Sequence, residues 1–276
     1  MKIVGIDFTS TPNRSKPLTC LFCNFDNNIL RVERLIKWES FESFEKFLKT
    51  SDRWVAGIDF PFGQSRKFIE NIRWPKTWEG YVNYVSSMRR SEFREALDQY
   101  KKIRPYGDKE HLRQTDIAAS SLSPQKQYGI PVALMFFEGA PRLLKSGATL
   151  PGLLKGDCNR LIVEAYPGVL AKRLIGRRSY KQDNKKRQTS DQASAREKIL
   201  HKILNDNCFE DYGFRIKTSK NICADPTGDQ LDSLLCAMQA AWAWKQREKN
   251  YGTPINVDPL EGWIADPITC KKMNRS

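Results

Sequence analysis

Histidine is nearly absent from this chain. His111 and His201 are the only two in 276 residues, so a metal site built on several imidazoles is not available. No apolar run reaches the length of a membrane-spanning helix. The opening residues, Met1-Lys2-Ile3-Val4-Gly5, enter a strand pattern directly, without the apolar core of a secretory leader. A glycine-rich nucleotide loop is missing too. The seven cysteines are odd in number and scattered, which speaks against a disulfide framework. The one close pair, Cys20 and Cys23, lies inside an apolar run with no second pair near it, which speaks against structural zinc. The expectation is a reduced, cytoplasmic protein with no membrane partner.

Acidic residues are also in short supply: 32 Asp and Glu stand against 46 Lys and Arg, a net charge of +14. Such a surplus attracts polyanions, and nucleic acid is the expected partner, although a generically basic surface would give the same numbers. The hydrophobic share of 40% and charged share of 28% are those of an ordinary globular chain. A single domain spanning residues 1–276 is expected.

The hydrophobic pattern predicts strands over Lys2–Asp7, Leu18–Phe25 and Ile29–Lys37, with Asp26-Asn27-Asn28 as a hairpin turn. A short amphipathic helix over Ser40–Lys49 and a fourth strand over Trp54–Asp59 follow. From about residue 64 to 157 the rhythm changes to helical patterns rich in aromatics, Lys and Arg, then to Ser, Pro and Gly, and this stretch reads as an insertion. A fifth strand, Arg160–Glu164, restores the pattern. It leads into a helix through Ile175, another over Ala193–Leu204, and a last helix from Asp229 to about Lys245. That last helix places Leu231, Leu234, Leu235, Met238 and Trp242 on one face. The expected fold class is α/β, a mixed five-stranded sheet flanked by helices.

Carboxylates recur at strand ends. Gly5-Ile6-Asp7-Phe8 and Gly57-Ile58-Asp59-Phe60 echo one another, each closing an apolar strand with an acid. An Asp in that place is commonly a turn residue accepting backbone hydrogen bonds. Two together, on neighbouring strands, would repel unless a cation joined them. Glu164 closes the fifth strand in the same way. Asp229 and Asp232 stand three apart in the first turn of the last helix; a dipole partner is the simple reading of Asp229, whereas Asp232 lies between Leu231 and Leu234 near a buried edge. Several acids in one cleft would bind Mg²⁺ or Mn²⁺, and two such ions could promote phosphodiester hydrolysis without a His, Ser or Cys nucleophile. Asp7, Asp59, Glu164, Asp229 and Asp232 are therefore the candidate catalytic residues and metal ligands. Arg177, Arg178, Tyr180 and Lys181, in a basic run between Lys172 and Arg187, either contact a phosphate backbone or form a solvated loop. The Trp and Tyr residues between Arg73 and Arg104 read as core rather than as a base-stacking platform.

The order β-β-β-α-β, insertion, β-α, with acids on the first, fourth and last elements, resembles the ribonuclease H-like superfamily. Asp229-x-x-Asp232-Ser233-Leu234-Leu235-Cys236-Ala237-Met238 is similar to the acidic helix start of RuvC-type resolvases. More closely the chain resembles the DUF429 family of predicted nucleases. The matching pieces are Gly5-Ile6-Asp7, Ile58-Asp59-Phe60-Pro61-Phe62-Gly63, Arg113-x-Thr115-Asp116, Glu164-Ala165-Tyr166-Pro167 and Asp232-Ser233-Leu234-Leu235-Cys236-Ala237. Ser233 departs from the Ala more usual in that family. The resemblance implies a metal-dependent nuclease, a hydrolase acting on phosphoester bonds, and adds Arg113 and Asp116 as residues that line the site or form an ion pair. A sugar-kinase or actin-like phosphotransferase, suggested by Asp7-Phe8-Thr9-Ser10, and a non-catalytic nucleic-acid-binding protein are the alternatives.

Overall fold

The computed structural model describes residues 1–205 and 209–275. Seven strands, β1 (Lys2–Asp7), β2 (Leu18–Asp26), β3 (Ile29–Trp38), β4 (Trp54–Ile58), β5 (Ala148–Thr149), β6 (Asp157–Glu164) and β7 (Arg215–Lys217), join in one sheet ordered β5-β6-β4-β1-β2-β3-β7. Strands β1, β4, β6 and β5 run parallel, β2 runs against β1 and β3, and β7 pairs parallel to β3. The expected five-stranded sheet is thus corrected to seven. All five expected strands form its middle, and the two added edge strands, of 2 and 3 residues, are too short to leave an alternation signal in sequence. Asn27 and Asn28 turn the β2–β3 hairpin with φ of 48° and 55°, the left-handed pair that a two-residue hairpin needs.

The helices are α1 (Phe41–Leu48), α2 (Arg66–Ile72), α3 (Trp78–Ser86), α4 (Arg90–Lys102), α5 (Gln114–Ala119), α6 (Val132–Ser146), α7 (Pro167–Ile175), α8 (Ser190–Leu204), α9 (Phe209–Tyr212), α10 (Asp229–Lys245) and α11 (Pro267–Met273). They divide between the faces of the sheet because side chains alternate along each strand. Val4, Ile6, Ala56, Ile58 and Ile162 face a core shared with α1 and with the helices of the 64–157 stretch. Ile3, Val55, Leu161 and Val163 face a core shared with α7, α8 and α10. Cys20 and Cys23 fall in different cores, so they cannot share a ligand. Trp74, Trp78, Tyr81 and Tyr100 are buried as expected, while Tyr84 and Tyr106 are exposed. Among the described residues no helix is long and apolar enough to cross a membrane.

Helix α10 is the central buttress. From Leu231 to Ala243 every residue is buried, so it lacks the single apolar face expected of it. The sheet lies on one side of it and α7 on the other, which leaves no face for water. Its backbone rests directly on two strand glycines. A Cβ on Gly5 would stand 1.9 Å from the Ser233 carbonyl oxygen, and one on Gly57 would stand 2.3 Å from that of Cys236. Both obstacles are main chain and cannot rotate away. Gly5→Ala is therefore expected to lower the unfolding free energy by about 2–3 kcal/mol or more, as overpacking does. Gly107→Ala, where nothing lies within 4 Å but φ is +88°, should cost only about 1–2 kcal/mol. Urea denaturation of both variants checks the difference; equal losses would show that α10 does not press on Gly5.

Candidate active site at the carboxyl ends of the strands

In parallel register Gly5 pairs with Gly57 and Ile6 with Ile58, which puts Asp7 and Asp59 side by side at the carboxyl ends of β1 and β4. The Asp59 amide donates to the Ile6 carbonyl oxygen at 3.0 Å and locks that level. Because alternate residues share a face, both acids lie on the side of Gly5 and Gly57, where α10 crosses. The first turn of α10 brings Asp229 and Asp232 to the same place. Its N-cap is Gly228, left-handed with φ +80°. Asp232 is fully buried; Asp7, Asp59 and Asp229 are partly open to solvent.

The cation in this group is a lysine. The Lys181 ammonium donates to one Asp232 oxygen, and the Tyr180 hydroxyl donates to the other at 2.6 Å. Burial raises the Asp7 carboxyl well above its usual value; Lys181 opposes this, while Asp232, Asp229 and Asp59 add to it. Burial likewise pushes Asp59 up to about 7, again opposed chiefly by Lys181. Burial also raises Asp229. For Lys181 burial disfavours the charge, but Asp232, Tyr180, Asp7 and Asp59 outweigh it and hold the ammonium well above the normal lysine range.

As donors for Mg²⁺ or Mn²⁺ these side chains fit in kind, being hard carboxylate oxygens from three elements. In placement the fit is narrower. Among the described residues no group of three His, Cys, Asp or Glu is arranged to hold one ion. Asp7 and Asp59 carry no hydrogen bond on their carboxylates among the described residues, so this pair is free to hold a cation whose other positions go to water or phosphate, the usual habit of Mg²⁺.

The remaining sequence candidates separate from this group. Glu164 pairs in register with Ile58, one residue short of the Asp59 level, so its side chain leaves on the opposite face. There Arg113 grips it through two bonds of 2.6 and 2.8 Å and grips Asp116 through bonds of 2.8 and 2.9 Å. The Phe62 amide adds a third donor to Glu164 at 2.8 Å. Arg113 and Asp116 are each 1% exposed and form the ion pair that is one of the two expectations for them, so the other, contact with substrate, is corrected. Glu164 is likewise corrected as a metal ligand, since its oxygens are committed to Arg113. Its charge still reaches Asp59 and raises it. Arg177 and Arg178 are exposed on the loop between α7 and α8, with Arg178 bonded to the Asp191 carbonyl oxygen at 3.0 Å. From the same loop Tyr180 turns inward, and Lys181, its side chain 39% exposed, directs its ammonium to Asp232.

Two contributors are not among the candidate site residues, although Ser233 stands out as a departure from the family's usual Ala. Thr19 stands opposite Asp7 in the β1–β2 register, hence on the same face, and its hydroxyl is fully buried without a partner. Ser233 lies within hydrogen-bonding distance of the Thr19 and Asp229 carbonyl oxygens, at 2.8 and 2.7 Å, a tie between strand and helix that Ala could not make.

Two outcomes follow from these placements. Arg113→Met should destabilise the fold by about 3–5 kcal/mol in a denaturant titration, because two buried carboxylates lose their counter-charge; a loss under 1 kcal/mol would mean the triad is not buried as described. Asp7 and Asp59 have folded pKa values above their unfolded ones, so their contribution to stability is fully present below about pH 4 and is lost as pH rises through about 7 for Asp59. In chelator-treated protein the melting temperature of Asp59→Asn should exceed that of the parent by a margin that widens from pH 5 to pH 8. A constant margin would contradict the raised value.

Neither the curated proteins nor the solved structures compared with this chain give a match. A family model does: the one described as "Protein of unknown function (DUF429)" covers residues 5–256. That span runs from β1 through α10 and takes in Asp7, Asp59, the Arg113–Glu164 triad, Lys181 and Asp232. The chain belongs to the DUF429 family.

Proposed function

We propose that this protein is a divalent-metal-dependent nuclease on a ribonuclease H-like scaffold. The observation that carries the reading is the pairing of Asp7 and Asp59 at the carboxyl ends of adjacent parallel strands, facing the acidic start of α10. Ligand sites in parallel sheets gather beyond those strand ends. Two desolvated carboxylates without hydrogen-bond donors are costly to keep unless a cation is to join them. The succession of elements supports the scaffold: three strands, a helix, a strand, a helical stretch, a strand and helices, with β2 alone reversed.

Asp7 and Asp59 would hold the ion, and Asp229, at the solvent side of the helix start, would orient a water or a phosphate oxygen beside it. A divalent cation, when bound, supplies charge neutralisation and an activated water. The surplus of basic residues raises the local concentration of polyanion, and the exposed Arg177 and Arg178 would grip its backbone. A binding protein without turnover is the second reading, favoured by one specific feature: Lys181 already neutralises part of the acidic group.

Purified protein with Mg²⁺ or Mn²⁺ should cleave at least one of single-stranded DNA, duplex DNA, RNA or a branched junction. Asp7→Asn and Asp59→Asn should each reduce that rate roughly a hundredfold or more, since even residues behind a metal ligand matter by about 10–100-fold. Salt-sensitive binding with no cleavage under any metal would favour the binding protein instead.

A further inference from the structure

Lys181 is seated with more care than a surface lysine needs. The residue before it, Tyr180, is 9% exposed; its carbonyl oxygen accepts from Arg196 at 2.9 Å and its hydroxyl holds Asp232. The residue after it is tied down as well, the Gln182 amide donating to the Pro226 carbonyl oxygen at 3.2 Å. Between these anchors the lysine stem lies across Gly228, where an added Cβ would meet Lys181 Cβ at 2.8 Å and Cδ at 3.2 Å. Gly228 is thus required twice, for its left-handed φ and for the room it leaves the lysine. Ordering a lysine side chain costs conformational entropy, which its contact with the carboxylates has to offset.

We infer that Lys181 is a fixed cation of the site, taking the place of one of the two divalent ions expected from sequence, so that the site accepts a single divalent ion held by Asp7 and Asp59. The inference rests on the proposed metal-dependent activity and specifies its cation content. Three observations support it. Each oxygen of Asp232 already accepts a hydrogen bond, one from Tyr180 and the other from Lys181, so the ammonium occupies a position beside Asp232 that a second ion would otherwise take. Counted at full formal charge, Asp7, Asp59, Asp229 and Asp232 against the Lys181 ammonium give three net negative charges; a single divalent ion reduces this to one, whereas two ions alongside the lysine would turn the site positive. Thr19, opposite Asp7 in the strand register, presents a buried, unpartnered hydroxyl, an unused donor or acceptor beside the Asp7 end of the pair. Lys181 is on this account a positioning residue: with Tyr180 it holds the Asp232 carboxylate in place.

The test is the stoichiometry of Mn²⁺ binding to chelator-treated, full-length protein, by titration calorimetry with electron paramagnetic resonance of free Mn²⁺. One ion per chain is expected for the natural protein and for Lys181→Arg, which keeps the charge. Two are expected for Lys181→Met, which vacates the place. Two ions in the natural protein, or one in a folded Lys181→Met, overturn the inference while leaving the nuclease reading intact. No ion in any folded form sinks the metal-dependent reading itself. Should Lys181→Met fail to fold, the natural protein and Lys181→Arg still decide, since two ions in either is fatal to the assignment.

Discussion

The arrangement depends on main chain meeting main chain where α10 crosses β1 and β4. Gly5 and Gly57 lie at the same level of two paired strands, and each is close enough to an α10 carbonyl oxygen to forbid any side chain. Two residues beyond each glycine, on the same face by the pleat of the strand, comes an aspartate. Where the crossing begins, immediately before Ser233, the same helix carries Asp232. Strand glycines, strand-end acids and helix acids are thus one geometric unit. The closeness that excludes a Cβ at residue 5 also brings the helix start within the electrostatic reach of Asp7. A looser crossing, with Ala or Val at 5 and 57, would lift the helix and dilute the acidic group that its first turn completes.

The sheet handles buried charge in two different ways on its two faces. Glu164 is matched in full: Arg113 and the Phe62 amide satisfy its oxygens, Asp116 balances the remaining guanidinium donors, and the triad ties the helical stretch to the end of β6. Such a closed network has nothing left with which to bind. The opposite face is left short of positive charge. Among the described residues one ammonium serves a group of acids; burial, opposed chiefly by that lysine, holds Asp7 and Asp59 above the ordinary carboxylate range, and burial raises Glu164 too, but there Arg113 opposes it through direct bonds. A network with unmet demand at a solvent-reachable strand end can take up a ligand, whereas a closed one is architecture. This contrast, more than the number of acids, separates the candidate site from the structural ion cluster beside it.

Much of this was legible in the chain. The repeated Gly-Ile-Asp-Phe segments marked paired strands with acids at their ends, and the register bears out their adjacency. The acidic start of α10 and the central strands were equally readable, because apolar runs of five to ten residues leave a clear pattern. Glu164 misled for a definable reason. A strand-end acid looks the same from sequence whichever face it takes, and a register offset of one residue sent its side chain to the far side. Arg113 and Asp116 misled because charged residues are ordinarily exposed, and only tertiary structure shows the glutamate that buries them. The role of Lys181 was hidden in a basic run, where one lysine cannot be told from its neighbours until Gly228 and Asp232 are seen to receive it.

That basic run joins the two halves of the proposed chemistry. Arg177 and Arg178 stand in solvent three or four residues before Lys181, and α7 ends just before them at Gly176, whose φ of +71° turns the chain out of the helix. On the proposed reading, a polyanion lying along the exposed arginines would thereby be brought beside the strand ends. No rigid element separates the outward-facing cations from the inward-facing one; Ser179 and the anchored Tyr180 are all that lie between. On the proposed reading, attraction of a phosphate backbone to the arginines and neutralisation of the carboxylates by the lysine would be tasks of one short loop. Its sequence must satisfy both, with arginines where water is the neighbour and a tyrosine-lysine pair where carboxylates are.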